Sequence, residues 1–152
     1  MKKRTLFLSY AHHDRGLVNN LAQDLRHHLG CCTKWEFELW QDSGIVCGTF
    51  WDQEIRKALQ RSAVGLLMVS PAFRCSRYIT SVELPELLKK RCLAVGTRPV
   101  CFDTQLDPAL QGMQFHRLDT PRRGAISYSE CRTRQEREQF VNALYQQVLA
   151  RL

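Results

Sequence analysis

Ala63-Val64-Gly65-Leu66-Leu67-Met68-Val69 carries no charge and no polar side chain over seven residues. A run this short and wholly apolar suits a central parallel strand, which is covered on both faces and has no solvent side to fill with polar residues. Ser70-Pro71 and a polar loop through Ser76 follow it. Segments on either side of this strand repeat a strand-then-helix order. Upstream, Thr5 to Tyr10 reads as a buried first strand, rich in β-favouring residues. Asp14 then stands where a helix N-cap belongs, and Leu17, Leu21, Leu25 and Leu29 recur every four residues up to Gly30. Phe37 to Trp40 is the next strand, Asp42-Ser43-Gly44 and Gly48 mark a loop, and Trp51, Ile55 and Leu59 share one helical face.

Downstream of the central strand, Glu83, Leu84, Leu87 and Leu88 form a helix that tolerates Pro85 only within its first turn. Arg98 to Phe102 reads as a fourth strand, and Asp107 to Tyr128 as irregular chain with a short edge strand near Phe115. Phe140, Leu144 and Val148 make the apolar stripe of a terminal helix running from about Thr133. Strands alternating with helices imply right-handed crossovers and a three-layer flavodoxin-like α/β fold with a central parallel five-stranded sheet. Such sheets bind ligands at the carboxyl ends of their strands.

Residues 1–152 are expected to form one domain, a length close to the commonest domain size. A hydrophobic fraction of 44% and a charged fraction of 24% are those of a globular chain. The charged start Met1-Lys2-Lys3-Arg4 is followed only by the short run Thr5 to Tyr10 before His12, His13 and Asp14, so no secretory leader is expected. No stretch approaches the roughly 20 apolar residues needed to span a bilayer. The seven cysteines, an odd set without a C-x-x-C pair, fit a reducing, cytoplasmic setting better than a disulfide framework or a zinc site. Cys101, following Val100 at an expected strand end, reads as a small core hydrophobe. The net charge of +7 is scattered, without interleaved aromatics, and is expected to be a solvated surface rather than a nucleic-acid interface. Neither His13-Asp14 nor His27-His28 has metal-ligand spacing, because adjacent helical residues point about 100° apart. Dinucleotide-fold, P-loop and nucleophile-elbow glycine patterns are all missing. A phosphoacceptor receiver domain would need an Asp where Ser70 ends the central strand.

Phe7-Leu8-Ser9-Tyr10-Ala11, Leu39-Trp40-Gln41-Asp42 through Gly48 to Trp51-Asp52-Gln53-Glu54-Ile55, and Val69-Ser70-Pro71-Ala72-Phe73 with Ser76-Arg77-Tyr78-Ile79 and Glu83-Leu84-Pro85 occur in that order. Together they resemble the boxes of TIR (Toll/interleukin-1 receptor) domains of the bacterial type. The resemblance implies cleavage of NAD+ to nicotinamide and ADP-ribose or a cyclised product, in bacterial antiphage immune signalling and on self-assembly with other TIR domains. It places Glu83 as the catalytic residue and Tyr10, Ala11, Asp42, Phe50, Ser76 and Tyr78 around the nucleotide, with NAD+ as substrate and no other cofactor or metal. It leaves room for a sensor domain in a longer chain. The loop from Asp42 to Phe50 is expected to be mobile in an isolated protomer and to order at an interface.

One carboxylate suffices for this chemistry. Nicotinamide leaves a cationic pyridinium as a neutral base, so no proton donor is required, and a glutamate near the anomeric carbon stabilises the oxocarbenium-like ribose electrostatically. The common better-known pattern has an aromatic four residues before the glutamate, whereas Tyr78 lies five before Glu83. Glu86 is therefore the reserve candidate. An exposed glutamate serving a helix dipole is the ordinary alternative for Glu83, core packing is the alternative for Phe50 and Trp51, and helical spacing assigns Trp51 to the core. The rival for the whole chain is a non-catalytic TIR–TIR interaction module, which shares the same fold.

Overall fold

The computed structural model describes residues 1–41 and 49–152, with only the backbone of residues 49 and 50. Chain order is β1 (Lys2–Ser9), α1 (Arg15–Gly30), β2 (Trp35–Gln41), α2 (Thr49–Arg61), β3 (Val64–Val69), α3 (Pro71–Cys75), α4 (Leu84–Leu88), β4 (Arg91–Gly96), β5 (Phe115–His116), β6 (Leu118–Thr120), β7 (Gly124–Ile126) and α5 (Arg134–Ala150). A π-helical turn, Ile79–Glu83, leads directly into α4. Strands β1 to β5 form one parallel sheet in the order β2-β1-β3-β4-β5, the flavodoxin-like arrangement.

β3 is central and buried at every position, as its apolar run requires. Its alternation sends Val64, Leu66 and Met68 to one face, where they join Leu6, Leu8, Leu93 and Val95 under α1 and α5. Leu67 and Val69 face the other way with Phe7 and Ala94, under Ile55, Ala58 and Leu59 of α2 and Phe73, Leu84 and Leu87 further on. The two clusters are the two sides of a three-layer domain. Gly65 is small for a reason. A Cβ there would lie 2.6 Å from Leu87 Cδ2, so the bare backbone lets α4 sit close on the sheet.

Several expectations are corrected. The fourth strand is Arg91–Gly96, not 98–102. Thr97 and Arg98 instead turn their amides onto the Val69 carbonyl, at 3.1 and 3.4 Å, and Pro99 has no N–H to give to a ladder. Cys101 is accordingly exposed rather than a core residue. Asp14 stands at the α1 N-cap position but makes no capping bond with its side chain, because its carboxylate is buried elsewhere. The segment 107–128, expected to be irregular, holds an antiparallel hairpin, β6 with β7, beyond the short edge strand β5. β2 starts at Trp35, two residues early, and as an edge strand it stays half-exposed. No helix among the described residues is long and apolar enough to cross a membrane.

Candidate active site

At the carboxyl ends of β1 and β2 a pocket of about 340 Å³ opens, and Tyr10, Ala11, Ser76, Tyr78 and Glu83 all line it. Phe7, Leu8, His12, Trp40, Trp51 and Ile79 complete its described wall. Asp42 lies outside the described residues, as do the loop it opens and the side chain of Phe50. Five of the seven residues singled out from the sequence thus converge from positions as far apart as Tyr10 and Glu83.

β1 delivers the pocket floor. Its last residue, Ser9, is fully buried and donates its hydroxyl to Glu83 Oε1 at 2.7 Å. Glu83 is only 7% exposed, so it is not the solvated first-turn glutamate of the ordinary alternative. Burying a carboxylate is costly unless its oxygens are hydrogen-bonded, and Ser9 supplies one such bond. Glu86, the reserve candidate, points to a half-exposed surface and pairs with Lys89 at 3.2 Å. It is absent from the pocket wall.

The π turn settles how a five-residue spacing still works. On an α-helix residues five apart lie about 140° from one another, since each residue turns about 100°. Here the Leu84 amide bonds to the Ile79 carbonyl, five residues back, and the wider turn brings Tyr78 and Glu83 to the same pocket. Pro85 gives the turn its cause. A proline ring clashes with the carbonyl four residues earlier, here Ser81, and widening the turn ahead of it relieves that clash.

Aromatic rings dominate the rest of the wall. Phe7 and Trp40 stack at 4.9 Å and 16°. Trp51 and Tyr78 meet at 4.7 Å, so Trp51 both packs on the core beside Ile55 and faces the pocket. The Tyr78 hydroxyl donates to Asp52 Oδ1 at 2.6 Å, and Asp52 in turn pairs with Arg56 at 2.9 Å. Desolvation, with the Asp52 carboxylate second, pushes the Tyr78 phenol well above its usual range. The Tyr78 hydroxyl bond, followed by Arg56, holds Asp52 below the ordinary carboxylate range. The Tyr78 hydroxyl is thus held in place by its bond to Asp52. Ser76 is held at the pocket rim, its hydroxyl accepting the Ile79 amide at 3.3 Å.

The sequence reading missed Ser9 as a partner of Glu83 and Asp52 as a partner of Tyr78. Both stood inside the quoted boxes, but nothing in one sequence pairs residues 74 or 26 positions apart. A larger cavity of about 840 Å³ opens along β5, among Phe102, Met113, Phe115 and Arg117, and holds none of these residues. Among the described residues no three His, Cys, Asp or Glu side chains converge as metal ligands would.

A parallel α/β sheet with a buried carboxylate and an aromatic pocket at its carboxyl edge defines the class: an α/β domain of the flavodoxin-like architecture. The profile of the TIR domain family matches residues 6–125, and the chain belongs to that family. It is similar to the crystal structure of the TIR domain of the Toll-related receptor TRR-2 from Hydra magnipapillata, with 17% identity and a TM-score of 0.61. That alignment covers 96% of this chain and 94% of the Hydra one, and at this identity it speaks for the fold alone. No curated protein matches the chain.

Proposed function

We propose that this TIR domain cleaves NAD+ at the nicotinamide–ribose bond, with Glu83 as the catalytic residue, in immune signalling of the bacterial antiphage kind. One observation carries the reading: a buried carboxylate, oriented by a buried hydroxyl, opens into a pocket walled by aromatic rings. The nicotinamide ring of NAD+ is a planar cation, and aromatic faces attract such cations while supplying contact area. A pocket of about 340 Å³ is at the small end of ligand pockets and suits the nicotinamide–ribose half of the molecule.

Cleavage breaks the C–N bond, and its electron pair goes to the nicotinamide nitrogen, which departs neutral. Positive charge then develops on the ribose ring, and the Glu83 carboxylate stabilises it. Ser9 holds that carboxylate in one orientation, so little reorganisation is needed as the charge forms. Water attacking the anomeric carbon and losing a proton gives ADP-ribose, and a nucleophile of the adenine ring in its place gives a cyclic product. Tyr10, Ala11, Ser76 and Tyr78 position the nucleotide, and Asp42 and Phe50 are assigned to the same task from the family boxes.

Nicotinamide release, followed by chromatography after incubating concentrated protein with NAD+, tests the proposal. Turnover that rises faster than protein concentration would support cleavage on self-assembly with other TIR domains. Absence of nicotinamide from every assembled sample would replace this reading with a non-catalytic interaction module.

A further inference from the structure

Asp14 lines no part of the pocket, yet its carboxylate is entirely covered, with 0% of the side chain exposed. Oδ1 accepts the Arg98 Nε–H at 2.7 Å, and Oδ2 accepts the Ser70 hydroxyl. Chain leaving the ends of β1, β3 and β4 therefore meets on one carboxylate, at the sheet edge where the pocket lies. A buried carboxylate is tolerable only when paired and hydrogen-bonded at both oxygens, and these two partners meet that need.

We propose that Asp14, held by Arg98, is a positioning residue that sets the separation of the pocket's two walls; the proposal rests on the NAD+-cleaving function above. The first wall, Ala11 and His12, is tied to Asp14 through the backbone, where the Asp14 amide donates to the Ala11 carbonyl at 2.9 Å and closes the turn His12–Asp14. The second wall is tied through Ser70. Its hydroxyl oxygen accepts the Phe73 amide at 3.0 Å and so caps α3. Helix α3 ends at Cys75, beside Ser76 and three residues before Tyr78 on the pocket rim.

Glu83 is held differently. Its carboxylate takes a bond from Ser9, inside β1 and before the turn. Loosening the clamp should therefore misplace the nucleotide-contacting walls and leave the reacting carboxylate where it is. Weakened substrate binding, rather than a slower chemical step, is the signature that follows.

Arg98 offers the test, because 40% of its side chain is exposed and a small cation can reach the gap that its removal leaves. NAD+ cleavage kinetics are measured for wild type, Arg98→Lys, Asp14→Asn and Arg98→Ala, the last with and without guanidinium. Amide hydrogen exchange is followed over residues 11–14 and 71–76. Arg98→Ala is expected to raise KM on the order of tenfold, a scale set by small misplacements of binding groups, with kcat within about threefold of wild type on the same reasoning. Added guanidinium should lower KM again, and Arg98→Lys should fall between, since lysine keeps the charge but loses the planar fork. Both segments should lose protection together in Asp14→Asn and in Arg98→Ala, and guanidinium should restore both in the latter. An unchanged KM, a fall in kcat alone, failure of guanidinium to rescue, or loosening of one segment without the other would overturn the proposal. If wild type itself releases no nicotinamide, it is the proposed function that has failed, and joint or separate loosening in the exchange data then decides the clamp.

Discussion

Glu83 and Ser9 are 74 positions apart in the chain and 2.7 Å apart in the fold. Ser9→Ala removes the hydroxyl that makes that contact, and with it one donor to a buried carboxylate. The expected cost is about 1–2 kcal/mol of stability and a kcat lower by roughly tenfold, the scale of a lost orienting bond, with KM little changed. Steady-state kinetics beside a denaturant melt check this; lost stability with intact kcat would mean that Ser9 is only structural. At this scale the sequence carried part of the candidate site. Glu83, Tyr10, Ala11, Ser76 and Tyr78 were legible because each stands inside a family box. Asp14 does stand at the α1 N-cap position, but the partners of its side chain, Ser70 and Arg98, lie 56 and 84 residues away and leave no local pattern.

Helical elements place these side chains, and the π turn is the element that matters most. If it accommodates one additional residue, then deleting Ser81 together with Pro85→Ala should leave an uninterrupted α-helix with the tyrosine and the glutamate four apart and still facing one pocket. Ser81 is exposed, and its hydroxyl bonds only to the Arg77 carbonyl among the described contacts. NAD+ turnover within about tenfold of wild type is expected, whereas inserting an alanine after Ser81 rotates the glutamate by about 100° and should abolish turnover. Equal activity of deletion and insertion variants would contradict the geometry. Gly65→Ala examines how α4 is seated. The added methyl meets Leu87, which is fully buried, so a loss of about 1–2 kcal/mol is expected, seen as a Tm lower by roughly 3–6 °C. An unchanged Tm would show that Leu87 can move aside without cost. Among the elements, the apolar run at 63–69 announced β3, but the strand at Arg91–Gly96 was hidden. It follows α4 after two residues, and its Cys92-Leu93-Ala94-Val95 can read as helix continuing or strand beginning.

For the whole molecule, the alternation of strands and helices was enough to give the sheet and its order, since parallel crossovers leave few other arrangements. The hairpin of β6 and β7 escaped notice because its strands are three residues each, too short for periodicity to register. Packing of the sheet edge against α5 is also expected to give the fold a pH dependence. His116 is 8% exposed and its Nε2 lies 3.0 Å from the Phe140 carbonyl. Burial lowers its pKa below the ordinary 6.5. The unfolded chain thus takes up the proton first as pH falls, so stability is full above about 6.5 and is lost as pH drops towards the lower folded value. Melts between pH 7.5 and pH 5, on the order of the histidine range, should show that loss. His116→Gln, which can keep a donor near Phe140 but does not titrate there, should flatten the histidine part of it, and an unaltered pH profile would contradict the assignment.

The same molecule, concentrated so that copies can assemble and supplied with NAD+, tests the central claim through its nicotinamide release. Glu83→Gln keeps volume and hydrogen-bonding capacity but removes the charge that stabilises the developing cation, an effect worth several kcal/mol. Wild type and Glu86→Gln are expected to release nicotinamide at comparable rates, and Glu83→Gln is expected to release none while remaining folded and still binding the nucleotide. Release by Glu83→Gln as fast as by wild type would remove Glu83 from the mechanism.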